Sequence, residues 1–289
     1  MSSVLAPSPH DASVPYHDPL GKLNWEAVDR DAWWLPPEAL SLAGVPEFEA
    51  LPIAARRRLS QYELAHLLET GLWLESLFIS RLAAQSDATD DIAVRRRLLQ
   101  EIREEAGHSL MFLELMTRSG VAIPGARAHR PRFAQLVGRL APADGLLFWA
   151  TVVAGEELPH RMNRALRRGV EDATLSAVVY HMTGLHMHDE AHHIAHARLT
   201  AESLAAAAPA WRRRVAAALV TRVFDPFVRH VCYPHAQVYA LALGGAGERW
   251  RPLAAANPRR RALVAEAIRP TLAFFERIGL AVASRHAAP

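Results

Sequence analysis

Apolar residues recur at spacings of three and four along most of the chain after residue 50, and runs of β-branched residues are few. Such spacing is typical of amphipathic α-helices that bury one face. The pattern therefore predicts an all-α protein. The predicted helices cover about Ser60–Ala84, Asp91–Gly120, Asp144–Gly169, Thr174–Leu199, Ala210–His230 and Pro258–Gly279. The first four, at roughly 25 residues and about 35–40 Å each, have the length and order of a four-helix bundle.

Local signals mark several helix ends. Ser60 and Glu63 have the spacing of a capping box at the start of the first helix. Gly120 suits the C-terminal cap of the second helix, and Asn257 is placed to cap the start of the last. Pro159 falls inside the third helix, where a proline is expected to bend it.

The first fifty residues have a different character. They hold seven prolines and the group Trp25, Trp33 and Trp34. Because proline disfavours a helix interior, we expect residues 1–50 to form an extended arm that packs on the helical body. Residues 51–289 are expected to form a single domain, with its core bundle at about residues 60–200.

Composition excludes several classes of protein. The chain has 289 residues, of which 51% are hydrophobic, so it can bury a sizeable core. Its one cysteine, Cys232, excludes an intramolecular disulfide and any cysteine-based zinc or iron–sulfur site, which fits a reducing compartment. No segment has the length and apolarity of a transmembrane helix, and the N-terminus lacks the pattern of a secretory signal. We expect a cytoplasmic protein without a membrane partner.

Arginine is unusually frequent, because Lys22 is the only lysine among the 33 basic residues. The formal net charge is nevertheless only +3, which does not predict binding to nucleic acid. Arginine triplets stand at residues 56–58, 95–97, 212–214 and 259–261. They are interpreted as solvated helix faces, and docking of an acidic electron donor is the alternative.

Six of the fifteen histidines fall between residues 181 and 196, in the fourth predicted helix. At about 100° per residue, His186, Glu190 and His193 share a sector of roughly 60° on that helix. Glu105 and His108 are one turn apart on the second helix. Two helices with Glu-x-x-His and two helices that each supply a glutamate are the arrangement of a carboxylate-bridged dimetal site. Three further histidines fall on the opposite face and are predicted to be surface residues: His181, His188 and His192.

The two remaining glutamates are sought on the first and third helices. Glu75 interrupts an otherwise apolar stripe on the first helix, so it is predicted to point inward and to need a partner. On the third helix either Glu156 or Glu157 fits. The distance along the chain to the neighbouring ligand slightly favours Glu157, and Glu156 stays the alternative.

A lone Glu-x-x-His is poor evidence, since the chain has four, including Glu63/His66 and Glu157/His160. An acidic residue precedes each of the two selected pairs, namely Glu104 and Asp189. These acids can accept the distal N–H of a ligating histidine.

Two divalent cations would also balance the charge of four buried carboxylates, whose burial would otherwise cost a large amount of free energy. The mixed imidazole and carboxylate ligands suit iron or manganese, and O2 activation would select iron.

Four segments resemble the AurF-like diiron oxygenases, a family that includes arylamine N-oxygenases. The segments are GLWLESLFISRL at 71–82, EIREEAGHSLMF at 101–112, VVAGEELPHRMNR at 152–164 and HMHDEAHHIAHARL at 186–199. The family has an extra histidine one turn before the last Glu-x-x-His, and His186 occupies that position. The resemblance implies a ferritin-like four-helix bundle with additional helices. It also implies a set of iron ligands: Glu75, Glu105, His108, Glu157 (or Glu156), His186, Glu190 and His193.

The resemblance further implies a homodimer that binds two iron ions and uses O2 to oxidise an amine nitrogen to a hydroxylamine, nitroso or nitro group. Aromatic residues near the ligands are expected to line an apolar pocket for a small molecule; they are Trp73, Phe78, Phe112, Phe148 and Trp149. The single cysteine means that electrons must come from an external ferredoxin or reductase. Alternatives are C–H hydroxylation or desaturation by the same site, iron binding without turnover, and a metal-free helical scaffold.

Overall fold

The computed structural model describes residues 18–123, 125–167, 175–245 and 247–288. These residues form α-helices and short 3-10 helices, and they contain no β-strand apart from an isolated bridge between Trp33 and Leu175. The prediction of an all-α protein is confirmed. The α-helices are α1 Pro46–Glu49, α2 Ile53–Ala88, α3 Ile92–Ser119, α4 Arg132–Leu140, α5 Leu146–Arg167, α6 Ala177–Ala207, α7 Ala210–Cys232, α8 Ala236–Leu243, α9 Trp250–Ala256 and α10 Pro258–Arg277.

Four long helices form the bundle. Helix α2 packs against α3, and α5 packs against α6. The two pairs meet through contacts of α2 with α5 and of α3 with α6. Large apolar residues such as Leu98, Phe148 and Leu158 fill the space between them and are almost fully buried. Each such side chain contributes about 1.5–3 kcal/mol relative to exposure, so the bundle rests on its apolar interior.

Helices α7 and α10 pack on α5, outside the bundle. Helix α5 continues through Pro159 to Arg167. The end predicted for this helix, Gly169, and the start predicted for the next, Thr174, lie outside the described residues. Helix α6 runs past the predicted end at Leu199 as far as Ala207.

Two of the predicted caps, Gly120 and Asn257, are confirmed by hydrogen bonds, and Asp91 supplies a further one. Asp91 caps α3 by accepting from the backbone N–H groups of Ala93 and Val94, and α3 ends at Gly120, whose φ is 70°. Asn257 caps α10 by accepting from the N–H of Arg259. These bonds satisfy orphan backbone groups, which is why such residues mark helix ends.

The capping box predicted at Ser60 and Glu63 is wrong, because α2 begins at Ile53, behind Pro52. The Ser60 hydroxyl accepts from the backbone N–H of Trp34, and the Glu63 carboxylate accepts from the N–H and hydroxyl of Ser41. Both polar side chains lie inside the helix and hold the N-terminal segment.

The described part of that segment is closely packed on the helices. Trp34, Leu40 and Leu42 are almost fully buried. Arg260 donates to the carbonyl groups of Ala39 and Cys232 and is itself buried. The central arginine of the last triplet is therefore part of the interior, which corrects its interpretation as part of a solvated face.

Two further properties bear on the expected class of protein. The described residues include no helix that is both long and apolar enough to cross a membrane. Cys232 is fully buried, and burial raises the pKa of its thiol to about 12. The thiol is therefore protonated at neutral pH and has little nucleophilic character.

Candidate metal centre

Acidic and imidazole side chains converge in the middle of the bundle. Helix α2 supplies Glu75, α3 supplies Glu105 and His108, α5 supplies Glu156, and α6 supplies three more. The seven residues are each at most 7% exposed: Glu75, Glu105, His108, Glu156, His186, Glu190 and His193. Ionised groups so deeply buried need compensation by opposite charge or by protonation.

One half of the cluster consists of Glu75, His108, His186 and Glu190, whose ligand atoms all lie within 4.8 Å of one another. The Oε1 atom of Glu190 lies 3.3 Å from His108 Nδ1 and 3.4 Å from His186 Nε2. Two imidazoles and two carboxylates thus surround one point, as the helical angles predicted for His186 and Glu190.

The other half consists of Glu105, Glu190 and His193, again within 4.8 Å of one another. His193 Nδ1 lies 3.2 Å from Glu105 Oε1 and 3.6 Å from Glu190 Oε1. Glu190 belongs to both halves. A carboxylate with two oxygens in this position can bridge two ions, as in carboxylate dimetal bundles.

The geometry does not support the preference for Glu157. Its carboxylate accepts from Arg198 at 2.6 and 2.7 Å, from Thr271 at 2.9 Å and from Arg161 at 3.1 Å, so its oxygens are already engaged outside the cluster. Glu156 instead lines a small cavity together with Glu105 and His193, and the charge of Glu190 helps to raise its pKa. The alternative that the sequence left open is the one that α5 brings to the cluster.

Two acids behind the cluster orient its histidines. Asp189 Oδ2 lies 3.3 Å from His108 Nε2, and Glu104 Oε2 lies 3.0 Å from His193 Nε2. When these distal nitrogens donate to the acids, each neutral ring keeps its lone pair on Nδ1, the atom that faces the cluster. Such contacts fix the tautomer and strengthen a histidine ligand.

In the metal-free cluster, burial and neighbouring charges raise the pKa values of some residues and lower those of others. Burial, together with neighbouring carboxylates, raises the pKa values of Glu75 and Glu156 well above their usual range. Hydrogen bonds and charge from nearby acids outweigh burial and raise the pKa values of His108 and His193. Burial alone would raise the pKa of Glu190, but its polar contacts with Glu156, His108 and His193 outweigh burial and hold this pKa well below its usual range.

His186 and Glu105 are the remaining residues of the cluster whose pKa values are shifted. Burial lowers the pKa of His186 to about 4, and the positive charge of His193 holds the pKa of Glu105 low against the effect of burial. Two ionised glutamates and two charged imidazoles make the cluster neutral. If two divalent cations replaced the four protons held on the raised-pKa groups, the cluster would remain neutral.

The donor atoms fit such cations. Oε2 of Glu75 and both oxygens of Glu190 are buried without a hydrogen bond of regular geometry in the described part of the chain. Buried oxygens in this state are costly unless an ion or proton occupies them. Carboxylate oxygens with imidazole nitrogens suit iron or manganese.

A buried contact between an acid and a histidine lies beside the cluster and was not predicted from the sequence. His196 Nδ1 lies 2.9 Å from Glu101 Oε1, and both residues are buried. Glu101 precedes Glu105 by one turn of α3, and His196 follows His193 by one turn of α6. The same helical angles that selected the cluster therefore place this pair next to it.

Aromatic residues form one wall of a small cavity at this point. Phe78, Phe148 and Trp149 line it together with Glu105, Glu156, Glu101, His193 and His196, and its volume is about 20 Å³. Such a volume holds about one water-sized molecule. Of the other aromatic residues proposed for a pocket, Phe112 contacts His186 at 5.0 Å between ring centres, and Trp73 lines a separate apolar cavity.

The remaining predicted positions follow the helical angles. His181 and His188 are exposed, and His192 is partly exposed, on the side of α6 away from the cluster. Glu63 and His66 do not join the cluster, because Glu63 binds Ser41 and His66 donates to the carbonyl of His230. This Glu-x-x-His pair is therefore unrelated to the candidate metal centre.

Comparison with known proteins agrees with this geometry. Uncharacterized proteins of Mycobacterium bovis and Mycobacterium tuberculosis are 27% identical to the chain over 190 residues, which are 63% of this chain and 54% of each relative. The matched part thus spans about half the length of these curated relatives. The family described as p-aminobenzoate N-oxygenase AurF, a group of diiron proteins with a ferritin-like helical fold, matches residues 2–279. A match over nearly the whole chain, to a family with this fold and this kind of site, makes the protein a member of the AurF family.

Proposed function

We propose that the protein is a non-haem diiron N-oxygenase that uses O2 to oxidise the amine nitrogen of a small molecule. The observation that carries the proposal is the position of Glu190, which belongs to both groups of ligand atoms in a buried cluster. Family membership supports the choice of iron and of an oxygenase.

The proposed ligands divide between the two ions. Glu75, His108 and His186 would help to hold one ion and Glu105 and His193 the other, and Glu190 belongs to both groups of ligand atoms. Glu156 is proposed as the seventh ligand in place of Glu157. Two iron ions held by these residues would supply the electrons and the Lewis acidity needed to activate O2. Asp189 and Glu104 keep the histidines in the ligating tautomer.

The pair formed by Glu101 and His196 is proposed to position the amine. Glu101 lies 2.9 Å from His196 Nδ1, so Nε2 is the nitrogen that faces away from this carboxylate. In the described part of the chain, His196 Nε2 is buried and makes no hydrogen bond. The cavity of about 20 Å³ has room for the amino group of a substrate, whose N–H would donate to Nε2 beside Glu105 and His193, against the ring of Trp149.

Two partners complete the proposal. Electrons are proposed to come from an external ferredoxin or reductase, since the one cysteine is buried with a raised pKa.

The second partner is another copy of the chain, in a homodimer. Four apolar residues of α3 support it, because they are exposed in the single chain and lie on one side of the helix at about 100° per residue. They are Ile92, Leu99, Leu110 and Leu113.

The test is a single-turnover reaction. Protein loaded anaerobically with Fe(II) is mixed with O2 and p-aminobenzoate or another arylamine, and products are identified by mass spectrometry. We expect one oxygen atom on nitrogen from one diferrous cluster and one O2, with the second oxygen atom released as water, and no product from Glu190→Ala. Oxygen on carbon would instead indicate the C–H hydroxylase alternative. Iron binding without any product across a panel of amines would contradict the N-oxygenase assignment.

Replacement of His196 by phenylalanine tests the positioning role. We expect the variant to bind iron normally but to raise KM for the amine, because the acceptor for its N–H is lost. A KM equal to that of the unaltered protein would show that His196 does not contact the substrate.

A further inference from the structure

A second cavity, of about 660 Å³, lies apart from the candidate metal centre. It opens between helices α7, α8, α9 and the C-terminal segment, and none of its lining residues belongs to the carboxylate cluster. Five histidines line it, and three of them are close neighbours: His66 on α2, His230 on α7 and His235 at the start of α8. Neither the fold nor the proposed oxygenase reaction accounts for this group.

The imidazoles form a contiguous set. The ring centre of His66 lies 5.5 Å from those of His230 and His235, and His129 stacks on His235 at 4.0 Å. Burial and mutual repulsion lower the pKa values of His66 and His235 to about 3 and that of His230 to about 4, so the rings are neutral at pH 7. A neutral imidazole offers one N–H donor and one acceptor.

His235 is incompletely satisfied. Both of its ring nitrogens are buried, and neither has a hydrogen-bond partner among the described residues. It occupies the N-cap position of α8 without a side-chain capping bond, so the positive end of that helix adds to the cavity. Unpaired buried polar atoms cost free energy, which a polar ligand would recover.

The charge around the cavity is positive. Arg251 is paired with Glu248 and Arg285 with Asp225, each at 2.9 Å. Arg229 and Arg261 also line the cavity, and across the described ranges neither has a carboxylate within 4.0 Å. Two guanidinium groups are thus left without a counter-charge.

This charge excludes a cation as the ligand. A metal ion would be repelled by the arginines. The imidazole nitrogens also do not approach closely enough for one ion, because in the described part of the chain such groups of atoms occur only in the carboxylate cluster. The two arginines without a counter-charge instead favour a ligand that carries negative charge.

We propose that this cavity binds the phosphate group of a small molecule. A phosphate monoester carries about −1.5 to −2 charge at pH 7, which matches Arg229 and Arg261, whereas a single carboxylate would leave one of them unbalanced. Its oxygens accept from guanidinium and imidazole N–H groups. Pro252, Ala254 and Ala255 give the same cavity an apolar side for the organic part of a phosphate ester.

The test measures binding by isothermal titration calorimetry with the full-length protein at constant ionic strength. Inorganic phosphate and phenyl phosphate are the probes, and Arg261→Gln is the main variant. Arg214→Gln removes the same charge from an exposed residue outside the cavity and serves as the matched control. We expect saturable binding that Arg261→Gln weakens at least about fivefold, while Arg214→Gln leaves it unchanged.

A second variant tests the imidazole contribution. His235→Phe removes both unpaired nitrogens and keeps a ring to stack on His129, so it is expected to weaken phosphate binding with little change in folding. Phenyl phosphate binding more tightly than inorganic phosphate would identify an organic phosphate ester as the ligand class, and equal binding would identify free phosphate.

The proposal is overturned if neither probe gives saturable binding, or if Arg261→Gln and Arg214→Gln weaken binding equally, which would indicate a non-specific charge effect. Because the measurement uses no iron, O2 or amine, its outcome is independent of the proposed oxygenase function.

Discussion

Glu156 and Glu157 are neighbours on α5, yet their carboxylates belong to different networks. Glu156 lies beside Glu105 and His193 in the candidate metal centre, and Glu157 accepts hydrogen bonds from Arg198 and Thr271 on the other side. Consecutive helical residues point about 100° apart, so one helix can serve both the site and its outer packing.

This difference predicts opposite effects of two equivalent substitutions. Glu156→Gln should lower iron affinity at least about tenfold and leave the metal-free protein about as stable, because Glu156 is already protonated there. Glu157→Gln should keep iron binding and lower the free energy of unfolding by about 2–3 kcal/mol, since it breaks a buried ion pair. Iron analysis and urea denaturation measure the two effects. If Glu157→Gln lowered iron affinity and Glu156→Gln lowered only the free energy of unfolding, Glu157 would be the ligand.

Asp189→Asn and Glu104→Gln should weaken iron binding by about 10- to 100-fold without unfolding the protein. Each acid holds the distal nitrogen of a ligating histidine, at 3.3 Å in His108 and 3.0 Å in His193. Competition with a chromogenic chelator gives the affinity. Glu202→Gln, which alters only an exposed pair with Arg277, is the control. If Asp189→Asn and Glu104→Gln bound iron as tightly as the control, the two acids would not orient the histidines.

Gly71→Ala should destabilise the protein by about 1–3 kcal/mol through overpacking. A Cβ atom at Gly71 would lie 2.8 Å from the ring of Phe112, and that ring packs on His186. The substitution should therefore also reduce iron occupancy. Gly21→Ala is the control, because nothing lies within 4 Å of a Cβ placed there. Urea denaturation and iron content measure the two effects, and unchanged values for Gly71→Ala would mean that Phe112 moves freely.

The stability of the metal-free protein should depend on pH through His66. Burial lowers its pKa from the usual 6.5 to about 3, so between these values the unfolded chain binds a proton that the folded protein does not. Stability contributed by the neutral ring is present above pH 6.5 and is lost as pH falls below it, by up to about 1.4 kcal/mol per pH unit.

His66→Gln keeps a donor for the carbonyl of His230 but cannot titrate, so the slope of unfolding free energy against pH should decrease by that amount between about pH 6 and pH 4. Urea denaturation across this range measures the slope. His188→Gln, at an exposed position, should leave the slope unchanged. A slope in His66→Gln equal to that of the original chain would contradict the burial argument.

Periodicity and local chemistry were sufficient for the helical class and for most of the cluster. Asp91, Gly120 and Asn257 mark helix ends because their effect is confined to a few neighbouring residues. His186 and Glu190 were placed together because both lie on one helix, where the angle between them is fixed by geometry.

Features set by contacts between distant segments could not be derived in this way. The choice between Glu156 and Glu157 depends on how α5 is rotated about its axis, which Arg198 on α6 and Thr271 on α10 help to determine. Similarly, Ser60 lies inside α2 and accepts from the backbone N–H of Trp34 in the N-terminal segment instead of capping the helix. The cavity lined by His66, His230 and His235 joins residues that are far apart in the sequence and has no periodic signature.

The burial of Cys232 has a practical consequence. Because the chain's only thiol is inaccessible and protonated, a cysteine introduced on the surface would be the one reactive thiol in the protein. Spin labels or fluorophores could then be attached at chosen sites without first removing a native residue. Distances from such labels to paramagnetic iron would locate the metal ions relative to each helix of the bundle.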